Sequence, residues 1–235
     1  MPAGLFGGRG RAENGRSLPR PTFPVSLPIP FAADIPRWIA AIAAAALVAA
    51  CGPAVPKLPK LDGDAVVLAF GDSLTFGTGA SLEQAYPAVL SRLISRKVVA
   101  AGVPGEVSAE GLARLPGVLE EVKPQLLVLC HGGNDFLRKT GEEAAAANVR
   151  EMVRLAQAQG VSVVLVATPK PGFGTSRVPF YEAIGRELGI PVEADILPDV
   201  LGDRSLKSDL VHPNAKGYAE IAEAVAKLLR KAGAV

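Results

Sequence analysis

Cysteine is scarce in this sequence, and the two cysteines are not placed to form a structural disulfide. Cys51 ends an alanine-rich leader, whereas Cys130 ends the apolar run LLVLC at positions 126–130. A bond between them would tie the leader to a segment with the character of a buried strand, so we reject that pairing. We interpret Cys130 as a small buried hydrophobic residue, and the sequence is not that of a disulfide-rich domain.

Neither sign of charge predominates in the sequence, and there is no basic cluster. Residues 1–50 contain five arginines and two acidic residues, a net charge of +3, which leaves −1 for the rest of a chain whose total is +2. This pattern argues against nucleic acid as a partner, because phosphate binding depends on many Lys and Arg contacts. The 49% of apolar residues excludes a disordered chain, and the 25 glycines and 20 prolines follow no collagen-like period.

The longest apolar run is too short to cross a membrane. Residues 38–50, WIAAIAAAALVAA, follow Arg37, and as a helix they would reach only about 20 Å against a hydrocarbon core of ~30 Å. This pattern is typical of the apolar region of a signal peptide. The run ends in VAAC at positions 48–51, which resembles a bacterial lipobox, where the cysteine receives diacylglycerol on its sulfur.

The lipobox resemblance implies a division of the chain into three segments. Residues 1–51 form a leader with a lipoprotein-type signal peptide, residues 52–63 a proline-rich tether, and residues 64–235 the folded domain. Lipid on Cys51 would hold that domain on a membrane without a transmembrane helix. The absence of Asp after the cysteine implies the outer membrane, facing the periplasm, in a Gram-negative host. A cleaved secretory signal, giving a periplasmic or secreted protein, and a buried helix are the alternatives.

From position 64 onward, short apolar runs alternate with longer helix-like segments. The expected strands are 65–70, 97–101, 125–130, 162–167 and 191–194, and the expected helices are 82–94, 109–122, 142–159, 179–188 and 214–231. This alternation predicts an α/β fold in which a parallel five-stranded sheet is covered by helices on both faces. In such a sheet the functional groups collect in the loops beyond the carboxyl ends of the strands.

Three of these loops carry residues capable of chemistry. Ser73 follows the first strand, and Asn134 follows two glycines after the third strand, where an amide near a serine suggests an oxyanion site. Asp209 lies three residues before His212, so one short turn can direct both side chains toward the serine. His212 would accept the serine proton during the attack, and Asp209 would hold the imidazole in the required tautomer.

Motifs for other chemistries are absent from the sequence. There is no G-x-G-x-x-G or G-K-[ST] phosphate loop, no G-x-S-x-G elbow and no H-E-x-x-H metal motif. We therefore expect neither a cofactor nor a metal. His131 is the only other histidine and a rival base, but no carboxylate lies three residues before it, so His212 is preferred.

Taken in order, the motifs resemble those of the SGNH or GDSL hydrolases. GDSL follows the first strand, a glycine turn the second, GGND the third, and DxxH comes before the last helix. The match covers nearly all of residues 64–235, and the stretches EGLARLPGVL and GGNDFLR are similar to the small bacterial arylesterase and thioesterase/lysophospholipase branch. The resemblance implies a flavodoxin-like, three-layer α/β/α sandwich with a central parallel five-stranded sheet.

The same resemblance implies a role for each matching residue. Ser73 is the nucleophile and the first oxyanion donor, and Gly105 and Asn134 supply the second and third donors. His212 is the base, and Asp209 orients it. The implied substrate is a small-molecule ester or thioester, and no cofactor is needed for the reaction.

The second motif departs from the family pattern. Pro104 stands where a small polar residue is more common, so Gly102 remains the alternative to Gly105 as the second oxyanion donor. Asp72 and Asp135 flank the nucleophile and the amide. We interpret both as carboxylates that accept backbone N–H groups and fix their loops.

Two other functions stay open beside the esterase acting through an acyl-Ser73 intermediate. One is a carbohydrate O-acetylesterase that acts on cell-envelope glycans. The other is a binding module without turnover, which the complete set of catalytic residues disfavours. Fatty acyl substrates would need an apolar groove, for which the candidates are Leu74, Phe76, Phe136, Phe173 and Phe180. Ordinary packing is the equal alternative for these side chains.

Overall fold

The computed structural model describes residues 55–170 and 176–235. The predicted leader, with its lipidation site Cys51, lies outside the described residues, and so does the groove candidate Phe173. Within the two described ranges, no helix has both the length and the apolar character needed to cross a membrane.

Five parallel strands form one sheet, in the order β2-β1-β3-β4-β5. They are β1 (Val66–Gly71), β2 (Lys97–Gly102), β3 (Leu126–Cys130), β4 (Ser162–Val166) and β5 (Val192–Glu193). The predicted parallel five-stranded sheet is confirmed, and each strand end lies within one residue of its predicted position. Gly71 at the end of β1 pairs with Gly102 of β2 and with Cys130 of β3. The loops after these three strands therefore leave the sheet at the same edge.

The described residues also form eight α-helices and one short 3-10 helix. The α-helices are α1 (Ser73–Phe76), α2 (Tyr86–Ile94), α3 (Ser108–Val122), α4 (Gly133–Arg138), α5 (Glu142–Ala158), α6 (Pro179–Leu188), α7 (Ile196–Gly202) and α8 (Ala215–Ala232), and the 3-10 helix is Arg204–Leu206. The five longest, α2, α3, α5, α6 and α8, correspond to predicted segments, although α2 begins at Tyr86 instead of position 82. The other four were not predicted, because they are too short for an apolar period to show in the sequence.

Alternate residues of the strands face two different helical layers. In β1, Val67 and Ala69 belong to one core cluster, whereas Leu68 and Phe70 belong to the other. The first cluster includes side chains of α2, α7 and α8, and the second includes side chains of α3, α5 and α6. This arrangement is the predicted three-layer α/β/α sandwich, and it explains why the strands are almost continuously apolar. Cys130 is buried and has a free thiol, in agreement with its interpretation as a small core residue.

Part of the predicted tether is packed on the domain. The Leu58 N–H donates to the carbonyl of Ala232 at 3.0 Å, and the Leu61 N–H donates to that of Ala234 at 2.8 Å. Leu61 is 5% exposed and joins the core cluster that contains α8. The predicted tether of residues 52–63 therefore does not stay clear of the domain over its whole length. Apolar residues of its second half lie against the end of α8.

Candidate active site

Ser73 begins α1 directly after β1, so the first strand carries the hydroxyl to the edge of the sheet. The Asp72 carboxylate caps this short helix by accepting from the Leu74 N–H at 3.0 Å. A side chain at Gly71 would collide with the Cys130 carbonyl oxygen and with the Thr75 hydroxyl. Glycine therefore lets β1 lie against β3 at the point where the chain turns into the nucleophile.

His212 and Asp209 reach Ser73 from the loop before α8. His212 Nε2 lies 3.0 Å from Ser73 Oγ, and His212 Nδ1 lies 2.7 Å from Asp209 Oδ2. The other oxygen of Asp209 accepts from the N–H groups of Val211 and His212, each at 2.8 Å. The one short turn expected from the DxxH spacing is present, and it directs both side chains to the serine.

The charge of Asp209 fixes the tautomer of His212. Burial by itself raises the pKa of the Asp209 carboxyl, but the hydrogen bonds from the His212 ring and from two backbone N–H groups outweigh it, so the pKa is lowered. The carboxylate is thus ionised at neutral pH, and an ionised carboxylate only accepts hydrogen bonds. The Nδ1 hydrogen of His212 points to Asp209, and Nε2 is left to accept from Ser73.

The loop that carries the histidine is tied down on both sides. The Ser208 N–H donates to the His212 carbonyl at 3.0 Å. Asn214 caps α8 by accepting from two backbone N–H groups, and its amide donates to the carbonyls of Ser205 and Lys207 at 2.8 and 3.2 Å. The cap of the last helix therefore also holds the segment in front of it in place.

Asn134 brings an amide to the same site from the first turn of α4. Its Nδ2 donates to Asp72 Oδ2 at 3.2 Å and to the Glu106 carbonyl at 3.0 Å. These contacts hold the amide between the nucleophile turn and the loop after β2. An N–H donor in this position beside Ser73 fits the predicted oxyanion site.

The structure separates the two candidates for the second oxyanion donor. Gly105 lines the same cavity as Ser73 and Asn134, and its φ of +80° belongs to the left-handed region that favours glycine. Gly102 instead ends β2 and lies against the nucleophile turn, where a side chain would collide with the Phe76 backbone nitrogen. The geometry therefore favours Gly105 as the donor, while Gly102 serves close packing.

Asp72 and Asp135 both accept backbone hydrogen bonds. Asp72 is 2% exposed, and burial raises the pKa of its carboxyl. Asp135 accepts from both the N–H and the hydroxyl of Ser108 at 2.8 Å, and from the Thr140 hydroxyl at 2.9 Å. The Asp135 carboxylate thus connects the start of α3 with both ends of α4, which fixes the turn that carries Asn134.

The catalytic side chains open into a cavity of about 700 Å³. Besides Ser73, His212 and the oxyanion residues, its lining is largely aliphatic and contains Leu74, Pro104, Leu137, Pro169, Leu201, Leu210 and Val211. Thr78, Thr168 and Lys207 add polar side chains. Leu210 and Leu137 lie at the mouth, where they are 87% and 48% exposed. A cavity with a polar reacting end and aliphatic walls suits the acyl chain of an ester.

The structure separates the candidates for an apolar groove that lie within the described residues. Of the predicted lining residues, Leu74 does face the cavity. Phe136 and Phe180 instead pack against each other, with ring centroids 6.4 Å apart, at the margin of the core. Phe76 is 45% exposed outside the cavity lining. For Phe136 and Phe180 the alternative of ordinary packing therefore holds, and none of these three candidates lines the cavity.

His131 is not placed to act on Ser73. It is fully buried, its Nδ1 accepts from the Gly132 N–H at 3.0 Å, and its Nε2 lies 3.1 Å from Glu106 Oε2. The same carboxylate accepts two hydrogen bonds of 2.7 Å from Arg114. This cluster of three side chains was missed from the sequence, because its members lie 8 and 25 residues apart and share no periodic pattern.

A second cavity lies at the opposite edge of the sheet. It measures about 620 Å³, and its lining includes Lys123 and Pro124 before β3 and Val161 before β4. No serine, histidine or cysteine lines it. Within residues 55–170 and 176–235, moreover, no three His, Cys, Asp or Glu side chains converge in a way that could hold a metal. The triad cavity is therefore the site with nucleophilic chemistry.

Comparison with known proteins agrees with this geometry. Residues 69–220 match the GDSL-like Lipase/Acylhydrolase family. Esterase TesA of Pseudomonas aeruginosa is 28% identical over 170 residues, which are 68% of this chain and 85% of the esterase. Thioesterase 1/protease 1/lysophospholipase L1 of Escherichia coli K12 is 28% identical over 172 residues, or 70% of this chain and 83% of that protein. A crystal structure of TesA has a TM-score of 0.64 at 27% identity, covering 71% of this chain and 99% of its own.

Proposed function

The chain belongs to the GDSL-like lipase/acylhydrolase family, and from this premise we propose that it hydrolyses carboxylic esters and thioesters through an acyl-Ser73 intermediate. It is a carboxylic ester hydrolase of the serine type. The observation that carries the mechanism is the hydrogen-bonded line from Asp209 through His212 to Ser73, with distances of 2.7 and 3.0 Å.

The first half of the reaction forms the acyl-enzyme. Ser73 Oγ attacks the ester carbonyl carbon while His212 Nε2 accepts the hydroxyl proton. The carbonyl oxygen becomes an oxyanion that accepts from the N–H groups of Ser73 and Gly105 and from the Asn134 amide. The tetrahedral intermediate then collapses, the bond to the alcohol or thiol breaks, and His212 returns the proton to the leaving group.

The second half releases the acid. A water molecule gives a proton to His212 and attacks the acyl carbon, and the same three donors bind the second oxyanion. Collapse of this intermediate breaks the bond to Ser73 Oγ, which recovers its proton from His212. Asp209 stays ionised throughout, stabilises the imidazolium in both halves and keeps its ring in place.

The aliphatic walls of the cavity support an acyl group longer than acetyl. Leu74, Leu201 and Val211 line the cavity together with Ser73, so burying additional methylene groups there favours binding by about 0.8 kcal/mol for each group. A carbohydrate O-acetylesterase, in contrast, needs polar groups around the sugar hydroxyls, and apart from the catalytic groups and Asp72 the polar side chains of the cavity are those of Thr78, Thr168 and Lys207.

The test is the ratio kcat/KM for nitrophenyl acetate, butyrate and decanoate, measured beside an acetylated sugar and with Ser73→Ala as the blank. We expect kcat/KM to rise from the acetyl to the butyryl ester or beyond. Efficient deacetylation of the sugar with no turnover of the butyryl ester would overturn the proposed substrate class in favour of the carbohydrate esterase.

We further propose that the protein is exported and anchored by diacylglycerol on Cys51, facing the periplasm from the outer membrane in a Gram-negative host. The support is the sequence VAAC at 48–51 behind an apolar run of signal-peptide length. Cleavage at another bond would make the protein periplasmic or secreted. A test is given below.

A further inference from the structure

A carboxylate, a guanidinium group and an imidazole are packed together beneath the oxyanion donors. Glu106 is 6% exposed and His131 is fully buried, while the Arg114 side chain is 26% exposed. Arg114 donates to both oxygens of Glu106 at 2.7 Å, and His131 Nε2 lies 3.1 Å from one of them. None of these three side chains takes part in the proposed steps of ester hydrolysis.

The hydrogen bonds define which group donates and which accepts. His131 Nδ1 accepts from the Gly132 N–H at 3.0 Å, so the ring proton is on Nε2 and is donated to Glu106. Burial raises the pKa of the Glu106 carboxyl, but hydrogen bonds from Arg114 and His131 outweigh it and lower the pKa to about 2. The buried carboxylate is therefore ionised and fully paired.

Glu106 is placed where it can control two oxyanion donors at once. It directly follows Gly105 in the chain, and its N–H donates to the Val103 carbonyl at 3.1 Å, which closes the turn whose central peptide carries the Gly105 N–H. Its carbonyl oxygen accepts from Asn134 Nδ2 at 3.0 Å. Its side chain reaches His131, which begins the turn that leads to Asn134. One residue thus connects the loop after β2 with the loop after β3.

Arg114 connects this pair of loops to the sheet. Besides Glu106, its guanidinium donates to the Ala101 carbonyl in β2 at 3.2 Å and lies 4.1 Å from the centre of the Phe70 ring. The Glu106 carboxylate is therefore held against the ends of β1 and β2, which do not move with the loops. A bidentate pair of a guanidinium group and a carboxylate fixes the direction of the carboxylate as well as its distance from the arginine.

We propose that Glu106 is a positioning residue, whose paired carboxylate sets the Gly105 N–H and the Asn134 amide at the spacing that an oxyanion requires. This inference rests on the proposed esterase mechanism. Because the oxyanion exists only in the transition state and the tetrahedral intermediate, misplaced donors lower kcat and leave substrate binding almost unchanged. A role confined to stability would lower the fraction of folded protein instead.

The decisive variant is Glu106→Gln, which keeps the shape of the side chain but removes its charge. The measurement is kcat and KM for nitrophenyl butyrate per folded molecule, with the folded fraction taken from circular dichroism. We expect kcat to fall roughly tenfold or more, with KM within about twofold of the wild type. Glu187→Gln is the matched control, because Glu187 pairs with Arg150 and Arg154 on the surface, and we expect its kcat to be unchanged.

Unchanged kcat per folded molecule in Glu106→Gln, or a change carried by KM alone, would overturn the inference. If Glu106→Gln does not fold, Arg114→Lys is measured in its place, and a fall in kcat at nearly constant KM is again the expected result. Lysine keeps the positive charge but loses the two hydrogen bonds to the Glu106 carboxylate. Phenylboronic acid adds an independent readout, because its adduct with Ser73 is tetrahedral, so its affinity should fall together with kcat. Absence of Ser73-dependent hydrolysis in the wild type would refute the proposed function itself, which is a different result.

Discussion

The side-chain amide of Asn134 donates a hydrogen bond of 3.2 Å to the carboxylate of Asp72. Asp72 directly precedes Ser73 in the chain, so the amide and the nucleophile are held by one buried acid. The second amide hydrogen has a shorter contact, 3.0 Å to the Glu106 carbonyl. Both amide hydrogens are therefore engaged in the resting site, and their two acceptors fix the direction of the amide.

Asn134→Ala should lower kcat by about 10²-fold, because the amide meets charge that develops only after the attack. KM should change much less, since the ground-state carbonyl is a weak acceptor. Steady-state kinetics on nitrophenyl butyrate measure both constants.

Asn148→Ala is the matched control for that experiment. Asn148 is also a half-buried amide near this region, and it donates to the Ser108 hydroxyl at 2.9 Å, but it does not line the cavity. We expect its kcat to stay within about twofold of the wild type. A loss confined to KM in Asn134→Ala, or an equal loss of kcat in both variants, would contradict the oxyanion role.

Ser73→Ala and His212→Ala should each reduce kcat on the order of 10³-fold or more, because the attack needs both the hydroxyl and the proton acceptor. The double variant should be hardly worse than either single one, since the two residues act as a unit. Thermal melts check that the fold survives. Multiplicative losses in the double variant would show that the two side chains work independently.

The stability of the protein should depend on pH through Glu106. Its pKa is about 2 in the folded protein against an ordinary value of 4.5, so the folded state favours the carboxylate. This contribution to stability is complete above pH 4.5 and is lost as the pH falls from about 4.5 toward about 2. The difference in free energy of unfolding between the wild type and Glu106→Gln should therefore shrink across that window. Urea denaturation at several pH values measures it, and a constant difference would argue against the buried pair.

Lipidation is tested by expressing the full chain as wild type, Cys51→Ser and Cys130→Ala. We expect the wild type and Cys130→Ala to partition with membranes, whereas Cys51→Ser should lose stable anchoring, because lipid on residue 51 supplies the anchor. All three should retain esterase activity, since Cys130 is a buried core residue that does not line the cavity. Mass spectrometry of the amino-terminal peptide is the sharpest measurement, and an unmodified Cys51 or cleavage at another bond would refute the anchor.

The main features of the fold follow from local sequence patterns. The runs at 66–71 and 126–130 are apolar on both faces because each face is covered by helices. Such continuous apolar runs are typical of the strands of a covered parallel sheet and could be predicted as strands. The short helices α1 and α4 could not be predicted from the sequence. Helix α1 is only four residues long, so it shows no apolar period. Helix α4 is held by ties from Asp135 to Ser108, 27 positions away in the chain, which exist only once the strands are aligned.

The site was predictable to the extent that its residues have fixed spacing. Asp209 and His212 lie within one turn, so their cooperation could be inferred from the sequence. Glu106 and His131 meet only because β2 and β3 flank β1 in the sheet, which no local pattern indicates. Apart from Leu74, the aliphatic lining was missed for a related reason, because the direction of a side chain in a loop depends on its tertiary neighbours.

The two partners of the nucleophilic step lie 139 positions apart in the chain. Ser73 directly follows the turn after the first strand, while His212 is supplied by the loop in front of the last helix of the described residues. A chain emerging from the ribosome therefore carries Ser73 as an ordinary alcohol until His212 has been added. The triad forms only when the segment around residues 207–214 has docked, so the nascent polypeptide has no activated Ser73 before that point.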